Sequence, residues 1–229
     1  MKILIACEFS GRVREAFKAR GFDAWSCDLL PTDIPGQHIQ GDVLEVLDDG
    51  WDLMIAHPPC TYLSVAGAGW LNRRPERKEL MRISCLFFEE LLNAPIENIC
   101  IENPTIYKEA RRLIGSEPNQ IIEPFFFGEP YKKRTCLWLR NLPKLNPTNI
   151  IKPMSYWVNS SSNYRKGQKL SNKGLHRNQH KRSITFQGIA DAMAQQWGNY
   201  VNANLSTKSG DGQGIPPLTK VRGILPTIL

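Results

Sequence analysis

Two short polar motifs, each directly after an apolar run, hold the residues best suited to catalysis. The first motif covers residues 57–60 (HPPC) and the second covers residues 102–104 (ENP). The two prolines restrict the backbone before Cys60 and so hold its thiol in one place, as a nucleophile requires. A carboxyl group at Glu102 could hydrogen-bond an aromatic base while a thiolate attacks that base. Together the motifs predict nucleophilic addition to a heteroaromatic ring, although Glu102 alone is equally consistent with a salt bridge.

The six cysteines form neither a metal pattern nor a disulfide pattern. They lie far apart without a C-x-x-C pair, which argues against a zinc knuckle and against a disulfide-dense secreted scaffold. We therefore predict no metal site, and we assign one thiol, that of Cys60, to chemistry and the other five to the core. The cysteines are Cys7, Cys27, Cys60, Cys85, Cys100 and Cys136.

Further polar residues are predicted at other strand ends, where ligands bind in open α/β sheets. Gly11, in the loop after the first predicted strand, would let the backbone approach a ligand. Asp28, after the second strand, is placed to hold ribose hydroxyls, and Asp42 lies near the end of the third. Gly11 is equally consistent with a plain turn, and each aspartate with a loop or a helix cap. A full G-x-G-x-x-G is absent, which weakens a dinucleotide-binding interpretation.

Alternating strands and helices must position these residues. Predicted strands cover Lys2–Ala6, Phe22–Cys27, Ile39–Val43, Asp52–Ala56 and Asn98–Ile101, and predicted helices cover Gly11–Arg20, Glu76–Leu92 and Thr105–Ile114. Two later apolar runs, 120–127 and 135–139, predict an antiparallel hairpin. This order indicates an α/β fold with a doubly wound, mostly parallel, Rossmann-like sheet.

The 229 residues divide into four predicted regions. Residues 1–140 form the catalytic core, and residues 141–182, which lack periodic apolar positions, form a small basic lobe. Residues 183–203 return to helical spacing and are expected to pack back on the core. Residues 204–229, rich in Ser, Gly and Pro, are predicted to be a flexible tail.

Positive charge is concentrated in one stretch of the chain. The protein has 29 Lys and Arg residues against 22 Asp and Glu residues, a net charge of +7. Thirteen of the cationic residues lie between residues 130 and 190, where there is no acidic residue, so the rest of the chain is mildly acidic. Such segregation is typical of a surface that binds a polyanion. A solvated, partly disordered basic loop is the alternative.

The distribution of apolar residues predicts a cytoplasmic protein. No run approaches the length of a membrane span, about 18 apolar residues. Glu8 and Gly11 come too early for a signal peptide. We therefore expect no association with a membrane.

The order of these motifs resembles the cytosine-C5 DNA methyltransferases, in particular the short members common in phages and prophages. That family has Phe-x-Gly in the first loop, an acidic residue after the second strand and Gly-Asp before the next element. Pro-Cys then follows the fourth strand and Glu-Asn the fifth. The counterparts here are Phe9-Ser10-Gly11, Asp28, Gly41-Asp42, Pro59-Cys60 and Glu102-Asn103. The resemblance covers about residues 1–140, and residues 141–182 stand where the family has a much larger target-recognition domain.

The resemblance implies an S-adenosylmethionine-dependent methyltransferase that acts on carbon 5 of cytosine in DNA, in a bacterial or phage-infected cell. It implies catalytic roles for Cys60, Glu102 and Arg134. The implied cofactor contacts are Phe9, Ser10, Gly11, Asp28, Leu29, Asp42, Val43 and Pro59. The implied substrate contacts are Pro58, Ser64, Asn103 and Lys133.

The corresponding chemistry is covalent. A Cys60 thiolate adds to carbon 6 of the base, and carbon 5 then attacks a methyl sulfonium. Because a free thiol has a pKa near ~8.5, we expect a nearby cation such as Arg134 to favour the thiolate. Glu102, protonated or sharing a proton with ring nitrogen 3, would offset the charge that develops in the adduct.

Three other interpretations remain open from the sequence. Pro-Pro after the fourth strand also occurs in exocyclic-amine DNA methyltransferases, although their motif ends in an aromatic residue where Cys60 stands. A catalytically idle phage protein that binds DNA or S-adenosylmethionine is a second alternative. RNA or a free nucleotide could replace DNA as the substrate, and the sequence does not define the oligomeric state.

Overall fold

The computed structural model describes residues 1–65, 74–156 and 179–208. Its strands are β1 (Lys2–Ala6), β2 (Asp23–Asp28), β3 (His38–Gln40), β4 (Leu53–Ala56), β5 (Asn98–Pro104), β6 (Gln120–Ile122), β7 (Tyr131–Lys132), β8 (Thr135–Arg140) and β9 (Ser155–Tyr156). Its α-helices are α1 (Arg12–Lys18), α2 (Glu76–Leu92), α3 (Lys108–Ile114), α4 (Gln179–Ser183) and α5 (Gln187–Lys208).

Seven strands form one sheet in the order β3-β2-β1-β4-β5-β8-β6. The first five of these strands are parallel, and β8 runs antiparallel to both β5 and β6. The chain begins in the middle of the sheet and builds first toward one edge and then toward the other. The crevice at this reversal lies at the carboxyl ends of β1 and β4, where ligands bind in such sheets. The protein therefore has the predicted α/β, doubly wound, Rossmann-like fold with a late antiparallel strand pair.

The two central strands are apolar because both of their faces are covered. Side chains alternate along β1, so Leu4 packs in a cluster with Phe88 of α2 while Ile3 packs in a second cluster with Trp197 of α5. Phe88 meets Trp138 of β8 edge to face, with ring centroids 5.1 Å apart. The packed sheet gives the loops at its carboxyl edge a rigid support.

Two predicted strand boundaries differ from the structure in ways that affect the site. The fifth strand extends to Pro104 instead of ending at Ile101, because β8 pairs along it as far as Pro104 opposite Thr135. Glu102 and Asn103 therefore lie within a strand and not in a loop after it. The third strand ends at Gln40 instead of Val43, and Val43 begins a 3-10 helix that continues to Glu45.

The C-terminal helix α5 packs on α1, as expected, but its bounds differ from the prediction. It begins at Gln187 and continues to Lys208, so residues 204–208, predicted to be flexible, are helical. Gly198 lets α5 lie close to Phe22, in the segment between α1 and β2, since a Cβ there would lie 2.4 Å from the Phe22 ring. The remaining residues of the predicted tail, 209–229, lie outside the described part of the chain.

The basic lobe is described only at its two ends, since residues 157–178 lie outside the described ranges. At its start, β9 pairs in parallel with β7, next to the late strand pair. At its end, α4 leads back into α5. Within the described ranges, no helix has the length and apolar character needed to cross a membrane.

Candidate active site

The loop that carries Cys60 is held in place by backbone hydrogen bonds. Cys60 is exposed and follows β4, and its carbonyl oxygen accepts from the backbone N–H of Ser64 at 2.9 Å. The next residue, Val65, donates to the Thr105 carbonyl at 3.0 Å, and Tyr107 donates to the Leu63 carbonyl at 2.7 Å. The thiol is thus presented on a short turn that is fixed at both ends. Ser64, predicted to contact the substrate, lies in this turn.

Asn103 ties the ends of β4 and β5 together. Its side-chain Nδ2 donates to the Pro58 carbonyl at 2.8 Å, and both residues are buried. The Oδ1 atom of Asn103 is buried and has no hydrogen-bond partner among the described residues. Pro59, by contrast, is exposed beside Cys60. Two predicted substrate contacts, Pro58 and Asn103, therefore bond to each other and position the Cys60 loop.

Glu102 forms a close pair with a histidine to which the sequence interpretation gave no role. The Glu102 Oε2 atom lies 3.1 Å from His57 Nδ1, and the exposed fractions of the two side chains are 13% and 9%. Burial by itself raises the pKa of Glu102, but the hydrogen bond from His57, the charge of Lys133 and a hydrogen bond from Thr135 bring it below its ordinary value. Glu102 is therefore ionised at neutral pH in this structure.

The Cys60 thiol is not poised as a thiolate in this state. Burial of the sulfur and the Glu102 carboxylate raise the pKa of Cys60 above its ordinary value, although the residue as a whole is exposed. Lys133 and Arg182 act in the opposite direction and only partly compensate. Nearby cations thus favour the thiolate, as expected, but they do not outweigh burial and the Glu102 charge.

Lys133, and not Arg134, is the cation of the late hairpin that acts on the two catalytic candidates. Its charge lowers the pKa of both Cys60 and Glu102, and its Nζ atom lies 5.7 Å from the centroid of the Phe186 ring. Arg134 is exposed, and its charge acts on Glu123 and on Cys136 of β8. The structure therefore does not bring Arg134 to the thiol.

The alternation of side chains explains this assignment. Thr135, at the start of β8, reaches Glu102, and residues two apart on an extended chain lie on the same side. Lys133 shares that side and Arg134 does not. Counting in twos from Thr135 would have identified Lys133 from the sequence, had the start of β8 been known.

The first loop is closed by its own carboxylate. Glu8 is buried, and its side chain accepts hydrogen bonds from the backbone N–H groups of Val13 at 2.7 Å and Arg14 at 3.2 Å. It also accepts from the Ser10 hydroxyl at 3.0 Å. Glu8 therefore satisfies the free N–H groups at the start of α1, where a phosphate would bind in a dinucleotide site. This agrees with the missing G-x-G-x-x-G and was not predicted from the sequence.

Gly11 is required by the tight packing of that loop. Its φ of +70° is in the left-handed region, and a Cβ there would lie 2.7 Å from Arg14 Nη2. Arg14 is fully buried and donates to the Ser26 hydroxyl at 2.9 Å and to the Ile34 carbonyl at 2.5 Å. The structure thus gives Gly11 a packing role, and a ligand contact by Gly11 stays a prediction.

Phe9, the first of the predicted cofactor contacts, meets the end of the basic lobe. Its ring centroid lies 4.4 Å from that of His180 in α4, and the His180 Nε2 atom lies 3.0 Å from an Asp33 carboxylate oxygen. The Asp33 backbone N–H donates in turn to the Phe9 carbonyl at 2.8 Å. The basic lobe and the first loop therefore meet at one point.

The two predicted cofactor aspartates lie together at the ends of β2 and β3. Asp28 Oδ1 accepts from the Leu30 N–H at 2.9 Å, and Asp42 Oδ1 accepts from the Leu44 N–H at 3.0 Å. Burial raises the pKa of the nearby Cys7 thiol, and the Asp28 and Asp42 carboxylates raise it further. Each aspartate therefore caps a local turn and also faces the crevice next to β1.

The other predicted cofactor contacts differ in their exposure. Leu29 is exposed beside Asp28, whereas Val43 is buried within the 3-10 helix and Ser10 is buried against Glu8. Val43 and Ser10 thus shape the crevice wall from within. Among the described residues there is no cluster of three His, Cys, Asp or Glu side chains that could hold a metal.

Comparison with known proteins finds similarity only at the level of structure. No family model matches the chain, and no curated protein matches it. A methyltransferase of Entamoeba histolytica, EhMeth, aligns at 14% identity with a TM-score of 0.39, over 68% of this chain and 57% of its own. The Dnmt2 methyltransferase of S. pombe aligns at 15% identity with a TM-score of 0.41, over 68% of this chain and 52% of its own. The chain thus spans little more than half the length of these structures.

Proposed function

We propose that the protein is an S-adenosylmethionine-dependent methyltransferase that adds a methyl group to carbon 5 of cytosine in DNA through a covalent Cys60 adduct. The observation that carries the proposal is the set of groups at the ends of β4, β5 and β8. An exposed cysteine on a fixed turn lies in the electrostatic reach of a buried, histidine-paired carboxylate and of Lys133. Addition of a nucleophile to a heteroaromatic ring needs these three kinds of group.

Cys60 supplies the sulfur that adds to carbon 6 of the base. The ring becomes an enamine, and its carbon 5 attacks a methyl group. Loss of the carbon 5 proton to water and expulsion of the Cys60 thiolate then restore the aromatic ring. The raised pKa of Cys60 makes the thiol the resting form, so thiolate formation depends on the Lys133 charge and on the bound substrate.

Glu102 stabilises the charge that develops on the ring. Its carboxyl group, at the end of the strand next to the Cys60 loop, is suited to face ring nitrogen 3. A base that covers the carboxylate removes it further from water, which favours its protonated form and allows it to donate to that nitrogen. The low pKa of Glu102 in the free site is therefore expected to rise when the base binds.

The crevice at β1, β2 and β3 fits a cofactor that carries a ribose and positive charge but no phosphate. Glu8 occupies the start of α1 and would repel a phosphate there. Asp28 and Asp42 provide carboxylates for hydroxyl or ammonium groups, and Leu29 provides an exposed apolar surface. S-adenosylmethionine, when bound, supplies a methyl group on a sulfonium, and these residues would hold its adenosyl part.

The basic stretch supports a nucleic acid as the substrate. The thirteen cationic residues include Lys133 at the site and Arg182, which acts on Cys60 from α4. A base inside a duplex would have to be flipped out, at a cost of a few kcal/mol, and phosphate contacts on both sides of the site would offset that cost.

The direct experiment is transfer of a labelled methyl group from S-adenosylmethionine to DNA, followed by mass spectrometry of the nucleosides. We expect 5-methylcytosine. Methyl groups on an exocyclic nitrogen, or none on DNA with cofactor binding intact, would contradict the proposal. Parallel reactions with RNA and with free nucleotides test the substrate, and steep salt dependence of binding to duplex DNA is expected.

A further inference from the structure

His57 directly follows β4 at the centre of the site and is held by the sheet. Its backbone N–H donates to the Ala6 carbonyl at 2.9 Å, which fixes it between the ends of β1 and β5. Its ring Nδ1 atom lies 3.1 Å from Glu102 Oε2. Its side chain is 9% exposed, and its Nε2 atom is buried without a hydrogen-bond partner among the described residues.

His38 shows what a histidine with a purely structural role looks like in the same sheet. Its Nδ1 atom lies 2.9 Å from the Ser26 hydroxyl and its Nε2 atom lies 3.0 Å from the Leu30 carbonyl. Both ring nitrogens are therefore satisfied. His57 differs because its buried, unpartnered Nε2 atom destabilises the free protein. Such a group is expected where a ligand or a charge change completes the bonding.

Charged groups surround His57 on both sides. Toward the substrate side its ring pairs with Glu102, which also feels the charge of Lys133 and lies near Cys60. Toward the cofactor side its charge acts on Asp28 at the end of β2. The ring thus lies between the carboxylates of Glu102 and Asp28.

We propose that His57 is the positioning residue for Glu102: its ring fixes the carboxyl group and shares with it the proton that the bound base needs. This inference rests on the proposed function for the identity of the base, but the proton pair itself is a property of the free protein. The hydrogen bond at Nδ1 engages Oε2 and so fixes the orientation in which the carboxyl group meets the base.

The proton balance of the reaction follows from this pairing. The Cys60 thiol gives its proton to water and regains one when the thiolate is released at the end of the reaction. When the sulfur bonds to carbon 6, the electrons of the C5–C6 double bond shift and nitrogen 3 becomes basic. A proton passes from His57 Nδ1 to the Glu102 carboxylate, and the carboxyl group gives a proton to nitrogen 3. After methyl transfer and loss of the carbon 5 proton to water, the C6–S bond breaks. Nitrogen 3 returns its proton through Glu102 to Nδ1, so the pair ends as it began.

The first test measures the interaction between His57 and Glu102 in the free protein, without any reaction. The titration of the Glu102 carboxyl carbon is followed by NMR in the parent protein and in two variants. His57→Phe removes both the hydrogen bond and the charge, so the pKa of Glu102 should rise. His57→Asn keeps an N–H donor near the Nδ1 position and should raise it less. His38→Asn is the matched control and should leave it unchanged, and an unchanged Glu102 pKa in His57→Phe would overturn the inference.

The second test measures the contribution of His57 to the steady-state kinetics of methyl transfer. With His57→Phe we expect kcat to fall about 10²-fold, the scale of general acid–base contributions, while KM for DNA changes little. The pH dependence of kcat should move with the Glu102 pKa, and His57→Asn should recover part of the rate. A rise in KM with kcat unchanged, or equal losses in both variants with an unchanged pH profile, would show that His57 only supports the fold.

The two tests separate the inference from the proposed function. If the parent protein transfers no methyl group to cytosine but the NMR titrations behave as expected, the proposed function fails and the proton pair stands. If 5-methylcytosine forms and the Glu102 titration is insensitive to His57, the proposed function stands and the inference fails.

Discussion

The two halves of the crevice satisfy their polar groups in opposite ways. In the first loop, the Glu8 carboxylate takes three hydrogen bonds from its own segment, and the buried Arg14 guanidinium is bonded to residues of β2 and the following loop. At the ends of β4 and β5, His57 Nε2 and Asn103 Oδ1 are buried without partners among the described residues. Cys60 stands exposed next to them.

We interpret the first loop as a structural element and the ends of β4 and β5 as the place of reaction. Satisfied polar networks fix a backbone in one conformation, and the first loop is such a network. Unsatisfied buried groups cost stability, and a protein retains them where a ligand or a reaction uses them. Under the proposed function we assign the reaction to the β4–β5 half, called the reacting half below, and a structural role to the β1–β2 half, called the preformed wall.

The largest expected effect is a loss of methyl transfer from a change confined to the reacting half. Cys60→Ser should lower methyl transfer by about 10³-fold or more, the scale of losing a covalent nucleophile, with little change in the melting temperature. Cys85→Ser is the matched control, because Cys85 Sγ donates to the Ala110 carbonyl in the core and a serine can keep that bond. Methyl transfer is measured with labelled cofactor, and full activity in Cys60→Ser would contradict the assignment.

The second largest expected effect is a loss of stability when the hydrogen bonds of the first loop are removed. Glu8→Ala removes the acceptor for three donors at the start of α1 and should lower the free energy of unfolding by about 1–3 kcal/mol. Chemical denaturation measures it. Glu76→Ala, at an exposed helix start, is the control and should cost much less. If Glu8→Ala is as stable as the parent, the loop does not depend on its carboxylate.

A smaller effect is expected on the pKa of Cys60 when the charge of Lys133 is removed. Lys133 lowers the pKa of Cys60, so Lys133→Met should raise that pKa further, reduce the thiolate fraction at neutral pH and slow the alkylation of Cys60 by iodoacetamide several-fold. The two rates should converge at high pH, where both thiols are ionised. Arg134→Met, a change at the exposed neighbour, should leave the alkylation profile in place. The reverse order of effects would restore Arg134 as the cation at the thiol.

The smallest expected effect is on stability and concerns the contact between Gly11 and Arg14 in the first loop. Gly11→Ala and Gly21→Ala both place a side chain at positive φ, but only the first puts a Cβ against Arg14. Both should destabilise by about 1 kcal/mol, and Gly11→Ala should cost more by the crowding at Arg14. Thermal denaturation compares them. Equal costs would show that Arg14 moves aside without penalty.

The sequence predicted the elements whose pattern is local. Lys2–Ala6 and Glu76–Leu92 have the predicted bounds, because a buried strand and an amphipathic helix carry their burial in their own residues. The extension of β5 through Glu102 and Asn103 could not be predicted, because it depends on pairing with β8, more than thirty residues later. The end of α5 at Lys208 was not predicted either, because residues 202–207 are mostly exposed and lack an apolar pattern.

The sequence predicted which residues form the site but not which side chains contact one another there. Cys60 and Glu102 were selected from their places after apolar runs, and the structure brings them to adjacent strand ends. The histidine pair of Glu102, the carboxylate cap at Glu8 and the choice of Lys133 over Arg134 depend on side-chain directions. No spacing rule in the sequence encodes those directions until the strand register is known.

The most direct test of the central claim uses duplex DNA that contains 5-fluorocytosine. Fluorine replaces the proton that must leave carbon 5, so a covalent cysteine mechanism stops after methyl transfer with the protein attached to the base. With S-adenosylmethionine present, we predict a stable complex whose mass equals protein, DNA strand and one methyl group, formed by the parent and by Cys85→Ser but not by Cys60→Ser. No complex with the parent, or the same complex with Cys60→Ser, would contradict Cys60 as the nucleophile of a cytosine methyltransferase.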